Sequence, residues 1–241
     1  MIRTIRPNTF VVQSAYPDPP FDMMSNGAKT GFDVELMRAV CRELGLAFEP
    51  VAYTGSDFNG IFDALGGAHA AGTCDAVISG TTITPSRSAE VLFSAPYLEF
   101  NQGVAVNRER SPHAATTADL RGLTAGIQIG NTSDAVAKRL LAAGEIAGIR
   151  YYPYDGIANA LDDLASGRIG LVIKLFPVIT WLVKDRPELR VAMQVPTHEK
   201  LGVAYAEGRE DLRDAVDAAI AKLRTTGEFA TLHSRWFGSS A

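Results

Sequence analysis

Asp75-Ala-Val-Ile-Ser-Gly-Thr-Thr-Ile-Thr-Pro-Ser-Arg87 reads as a buried strand ending at Ser79, a turn rich in hydroxyls and glycine, and the start of a helix. A helix can begin near Thr84, because Pro85 then takes a first-turn position where no N–H is needed. Hydroxyls and backbone N–H groups are thereby presented at a strand's C-terminal end, beside a helix N-terminus, and such a place suits an anion. Arg87 adds a planar fork that can grip a carboxylate through two parallel hydrogen bonds. A helix cap followed by a surface arginine would leave the same residues, so the flanking sequence has to decide.

On the N-terminal side, Thr9–Gln13 reads as an opening strand and Ser14 to Phe21 as a proline-stiffened loop that is neither helix nor central strand. From Asp33 a helix is expected, since Met37, Val40, Cys41 and Leu44 form one apolar stripe and Gly45 supplies the stop. Phe48 to Ala52 is a second strand and Phe58 to Leu65 a short helix. On the C-terminal side the pattern restarts, with strands at Leu123–Ile129, Ile149–Tyr152 and Ile169–Ile173 and helices at Asp134–Ala142 and Gly156–Ala165. Strands alternating with helices predict parallel sheets with crossover helices. Two such blocks predict two lobes of similar build. The last segment, a strand at Gly202–Tyr205 and two apolar helices, is too small to stand alone and should pack on one of them.

Bulk properties exclude several classes. The chain has 241 residues, 46% hydrophobic and 21% charged, ordinary for a soluble globular protein with one large domain or two modest ones. A net charge of -4 argues against sequence-independent nucleic-acid binding. The most apolar stretch, Ile169 to Val183, is interrupted by Lys174 and Pro177 and falls short of the ~20 residues that span a bilayer. The N-terminus shows no apolar signal region, which leaves a cytoplasmic protein or one whose signal peptide preceded Met1 and was removed. Cys41 and Cys74 lack CxxC spacing, so no zinc or thioredoxin-like site is expected; Cys41 reads as a core residue on a helix face, and the disulfide state of the pair stays open. His69, His113, His198 and His233 are scattered, without the spaced partners of a metal site. GxSxG, HExxH, GxxxxGK[ST] and GxGxxG are absent, and most carboxylates read as a solvated surface. No cofactor and no catalytic residue are expected.

Several motifs in order resolve the reading. Pro20-Phe21 is similar to the "PPF" loop of the amino-acid-binding, family 3 solute-binding proteins of bacteria, and Gly31-Phe-Asp-Val-Glu-Leu-Met-Arg-Ala-Val-Cys41 resembles their "GFD-D/E" signature. Phe93-Ser-Ala-Pro-Tyr97, Asp119-Leu-Arg-Gly-Leu, Gly167-Arg-Ile and Arg235-Trp-Phe-Gly238 also fit, so the resemblance runs from about residue 8 to 238. It implies an α/β, two-lobed periplasmic-binding-protein type II fold. Each lobe would be a central, mostly parallel sheet flanked by helices, joined by two hinge strands near Leu98–Gln102 and Pro196–Gly202. Lobe 1 would comprise residues 1–100 plus 198–241 and lobe 2 residues 101–197, with the ligand in the cleft between them. The protein would be a periplasmic or extracellular, membrane-associated monomer that delivers a carboxylate-bearing or amino-acid-like ligand to the membrane subunits of an ABC transporter.

By position, the resemblance places Ser79, Gly80, Thr82 and Arg87 on the lobe-1 ligand contacts, and Thr132 in the loop Ile129–Thr132 on a lobe-2 contact, with Gly130 giving close backbone approach. Phe58 would cover the ligand or simply fill core. Asp18 would pair with a ligand cation or cap its turn. One departure stands out. The aspartate that these amino-acid binders carry at the end of the last lobe-2 strand is replaced here by Leu175, with Lys174 before it. A desolvated ammonium without a counter-charge costs several kcal/mol. Either another acid substitutes, with Asp18 and Asp155 the candidates, or the ligand has no free α-amine. Lys174 would favour a second ligand carboxylate, or would snorkel to the surface. A cyclohexadienyl-dehydratase-like enzyme is the chief alternative, disfavoured because Phe176-Pro-Val-Ile179 has no acid. A sensor domain is the third.

Overall fold

The computed structural model describes residues 2–67 and 70–238; Met1, His69 and Ala241 lie outside them. The chain divides into two compact units: residues up to 54, 61–99 and from 200 on form the first, and 55–60 with 100–199 form the second. The stretch 55–60 differs from the sequence division, which left it with the N-terminal residues. It joins the second unit because Phe58 N donates to Ile129 O (3.2 Å) and Tyr154 N to Ser56 O (2.6 Å).

The first unit opens with β1 (Thr9–Ala15), α1 (Phe32–Leu44), β2 (Ala47–Tyr53) and β3 (Ala76–Val77), followed by α2 (Pro85–Ser88) and β4 (Leu92–Phe93). β1 is buried along nearly its whole length and pairs in parallel with both β2 and β3. The strand expected over Asp75–Ser79 is shorter, because Ser79 N leaves the ladder for Thr81 Oγ1 at 3.2 Å. α1 buries Val34, Met37, Val40 and Cys41 on its apolar stripe, and Gly45 closes it in the left-handed conformation (φ 70°) that glycine adopts without penalty. Cys41 and Cys74 are buried free thiols; burial, with the Asp75 carboxylate second, pushes both up to about 12. Neither is therefore a reactive thiolate at neutral pH.

The second unit begins as β5 (Leu98–Asn107) crosses into it between residues 99 and 100. It continues through β6 (Thr124–Gln128), α3 (Ser133–Ala142), β7 (Gly148–Tyr152), α4 (Ile157–Ser166), β8 (Leu171–Leu175), α5 (Phe176–Val183) and β9 (Leu189–Leu201). β9 crosses back between 199 and 200. The sheet order is β7-β6-β8-β5-β9, with β7, β6 and β8 parallel and β5 antiparallel to β8. Alternate residues serve two cores: Val104, Val106, Leu171 and Ile173 enter one, Ala105 and Val172 the other. Both faces are thus covered, which is why Leu171–Ile173 reads as a continuous apolar run.

β10 (Ala204–Tyr205), α6 (Glu210–Thr225) and α7 (Glu228–Phe237) return to the first unit, whose sheet order is β2-β1-β3-β10-β4. β10 is antiparallel to both neighbours, as β5 is to β8, so in each unit an antiparallel strand follows a parallel three-stranded core. α6 and α7 pack on α1. The Phe32 ring lies 5.7 Å from Phe229 and 5.0 Å from Phe237, and Arg235 and Trp236 both donate to Glu35. The terminal Arg235-Trp-Phe sequence therefore locks onto the Gly31-Phe-Asp signature.

That signature is also tied to the proline loop. Phe32 N donates to Pro20 O (2.9 Å) and Asp33 N to Phe21 O (3.1 Å). Two motifs ten residues apart in sequence thus form one structural unit.

Candidate functional site

In the first unit the loop after β3 is built around buried carboxylates. Ser79 Oγ donates to Asp22 Oδ2 (2.6 Å) and accepts from Ala15 N (3.1 Å), so the hydroxyl expected to face a ligand is engaged inside the protein. Gly80 N and Tyr97 OH both donate to Asp33 Oδ2, at 2.7 and 3.1 Å. Gly80 has φ +51°, and a side chain there would meet the Phe21 ring at 3.0 Å. Asp18 is buried, and its backbone closes the turn: its carbonyl accepts from Phe21 N and Asp22 N, and its N–H donates to Asp22 O.

Burial raises Asp33 from 3.8 to about 7, with the Asp18 charge adding and the Gly80 and Tyr97 bonds opposing. Burial, then the Asp33 charge, raises Asp22 well above the ordinary range. A carboxyl raised in the folded state stabilises most below its unfolded value, and that stability is lost as pH rises through the folded value. Asp33→Asn should therefore gain melting temperature relative to the wild type as pH rises from 4 to 8, with a ceiling of about 4 kcal/mol. Melting curves across that range check this; a constant difference would contradict it.

Thr84 caps α2, its Oγ1 accepting from Arg87 N (3.2 Å), and Pro85 occupies the first turn as the sequence indicates. α2 is only four residues long, so the helix-dipole contribution expected there is small, and Arg87 is the main positive charge at this loop. Arg87 is 7% exposed, and its guanidinium donates to Thr82 O (2.9 Å) and lies 5.6 Å from the Phe62 ring centroid. Thr82 is held in turn by a bridge to Leu201.

In the second unit two linked clusters meet at the loop after β6. Lys174 is 4% exposed, so it does not snorkel; its Nζ donates to Gln128 Oε1 (2.7 Å) and lies 5.4 Å from the Tyr154 ring centroid. Phe58 packs on the same ring at 5.1 Å, which joins two residues far apart in sequence. Gly130 has φ +82°, and a Cβ there would fall 2.2 Å from Asp57 Oδ1 and 2.7 Å from Phe58 N. The close approach at Gly130 is thus to the Asp57 carboxylate and the Phe58–Asn59 backbone of the protein itself.

Thr132 Oγ1 donates to Glu199 Oε2 (2.7 Å) and accepts from Gln102 Nε2 (3.2 Å), which also donates to Glu199 Oε1 (2.8 Å). Neither Gln102 nor Glu199 stood out in the sequence, because 97 residues separate them and only the β5–β9 pairing unites them. Asp155, a candidate counter-charge, is exposed between β7 and α4. Among the described residues no group of three or more His, Cys, Asp or Glu could hold a metal, and no helix is long and apolar enough to cross a membrane.

Two α/β units joined by long strands, one carrying a buried arginine fork and the other a buried acid–amide–hydroxyl cluster, define a type II periplasmic-binding-protein fold built to hold a small solute. The sequence model of the bacterial extracellular solute-binding proteins, family 3, matches residues 10–239, and the chain belongs to that family. It is similar to the ABC transporter arginine-binding protein 1 of Escherichia coli (strain K12), at 30% identity with 95% of this chain and 89% of that protein covered. It is also similar to the solved structure of an ancestral arginine-binding protein bound to arginine (TM-score 0.83, 29% identity, 96% and 99% covered). A third likeness is to the ancestral amino acid-binding protein AncCDT-1, a precursor of cyclohexadienyl dehydratase (TM-score 0.81, 31% identity, 95% of each chain).

Proposed function

We propose that this protein captures a small carboxylate-bearing solute, an amino acid or a close derivative, outside the cytoplasmic membrane and delivers it as a monomer to an ABC transporter. The observation that carries the reading is Arg87, whose guanidinium is buried and held between the Thr82 carbonyl and the Phe62 ring. A fork fixed in that way loses little rotamer freedom when it takes a carboxylate. Thr82 and Gly80 frame it within the first unit; the second unit, taken by itself, offers Thr132, Lys174 and Phe58 as candidate solute contacts. Ser79 acts through Asp22 to hold the loop.

Two of the relatives named above are arginine-binding proteins, and the buried ammonium of Lys174 points this chain toward a different side chain. A cation at that place repels a guanidinium and favours a carboxylate or amide oxygen. Dicarboxylic amino acids, glutamine and opines are the favoured class. Binding rather than turnover is supported by the stretch 176–179, which is apolar and begins α5 without an acid. A thermal-shift screen of amino acids, opines and dicarboxylates tests the reading. An acidic or amide-bearing amino acid or an opine should raise the melting temperature more than arginine does; arginine as the strongest stabiliser would refute the role given to Lys174. Conversion of prephenate or arogenate would refute the non-enzymatic reading.

A further inference from the structure

The apolar end of β8 leaves the ligand's nitrogen without a counter-charge at Leu175, and the next two strands of the sheet, β5 and β9, bring an amide and a carboxylate together. Leu175 lies opposite Gln102 in the antiparallel β8–β5 ladder, so their side chains share a face of the sheet. Gln102 is 1% exposed, and its amide nitrogen is committed to Glu199 and Thr132. That commitment fixes the amide's orientation, since only the nitrogen can donate to a carboxylate. Its carbonyl oxygen Oε1 is buried and has no hydrogen-bond partner among the described residues. An unsatisfied buried acceptor costs about 1–3 kcal/mol, so a donor is called for there. Glu199, 9% exposed, places a carboxylate beside it, oriented by Thr132 from the α3 end and by Gln102 from β5. A carboxylate and an orphaned carbonyl side by side are two acceptors, the complement of a charged nitrogen carrying several N–H groups.

We infer that Glu199 and Gln102 form the subsite for a cationic nitrogen of the ligand, a primary or secondary ammonium, so that Glu199 takes the role that Leu175 cannot. This rests on the solute-binding reading above and sharpens it: the ligand has a free amine as well as a carboxylate. Asp155, the other lobe-2 candidate for that charge, is exposed.

The test uses amine and des-amine pairs: L-glutamate with glutarate, L-glutamine with glutaramate, and L-arginine with 5-guanidinopentanoate. Each is titrated calorimetrically into wild-type protein, Glu199→Gln and Gln102→Met. At least one amine should bind the wild type far more tightly than its des-amine partner. Glu199→Gln should shrink that preference by at least about thirtyfold, the usual cost of unpairing a buried charge. Gln102→Met should shrink it by about tenfold, consistent with the loss of a hydrogen bond to a charged group, and carries the test if Glu199→Gln fails to fold. A merely structural role for Glu199 would weaken both members of a pair alike and leave the preference intact, which would overturn the inference while sparing the solute-binding reading. Equal or tighter binding of the des-amine acids would do the same. If no member of any pair binds, the solute-binding reading falls and takes the subsite with it.

Discussion

Replacing Arg87 by alanine removes the ligand-induced rise in melting temperature. Truncating one partner of a buried, hydrogen-bonded charge pair costs roughly 2–5 kcal/mol. That is about thirtyfold to several-thousandfold in Kd. A ligand at a hundred times its Kd stabilises the wild type by about 2.7 kcal/mol, and nearly all of that disappears when Kd rises past the ligand concentration. Alanine also strips Thr82 O of its donor and Phe62 of its cation, so the ligand-free protein loses some stability too. The quantity to read is therefore the increment on adding ligand, measured against each protein's own baseline by differential scanning fluorimetry. Arg87→Lys should recover only part of the increment, since an ammonium keeps the charge without the fork. A full increment in Arg87→Ala would mean that the carboxylate is anchored elsewhere.

Gly31→Ala should be the most damaging single substitution outside the site. Gly31 sits at φ +124°, a conformation that side chains rarely adopt, and a Cβ there would fall 2.1 Å from Phe21 O and 2.5 Å from its carbonyl carbon. Those atoms are backbone and cannot step aside as a flexible side chain would. Relieving the clash means parting Phe21 from Asp33, which breaks the Asp33 N to Phe21 O bond and disturbs the carboxylate that holds Gly80 N. Overpacking and backbone strain together should cost about 2–5 kcal/mol. In a chain of this size the melting temperature should fall on the order of 5–15 °C. Thermal melts check it; a drop within a degree or two would mean that the proline loop and the helix start are not coupled as the geometry indicates.

The parts of this protein that were legible in its sequence are those where local chain geometry dictates residue type. Gly31-Phe-Asp33, the Thr84–Pro85 helix start and the left-handed Gly45 each meet a constraint within a few residues, and each forms as read. Other parts were hidden. α5 is not legible in the sequence because Leu171 to Val183 is almost continuously apolar, and periodicity cannot divide a buried strand from a buried helix within such a run. The short 55–60 stretch reads as part of the first lobe by chain order, and only its hydrogen bonds to Ile129 and Tyr154 move it to the second unit. The Ser79 hydroxyl reads as a ligand contact in the sequence, and no sequence pattern says that it is spent on Asp22. Glu199 was the hardest to see: an exposed-looking acid in Thr197-His-Glu-Lys200, made functional by partners 67 and 97 residues away.

The most direct test of the central claim is a crystal structure of the protein with the solute that stabilises it most. The account predicts the ligand carboxylate on the Arg87 guanidinium, with two N–H···O bonds of about 2.7–2.9 Å. A ligand whose carboxylate lies away from Arg87, with the guanidinium still bound only to the protein, would contradict it.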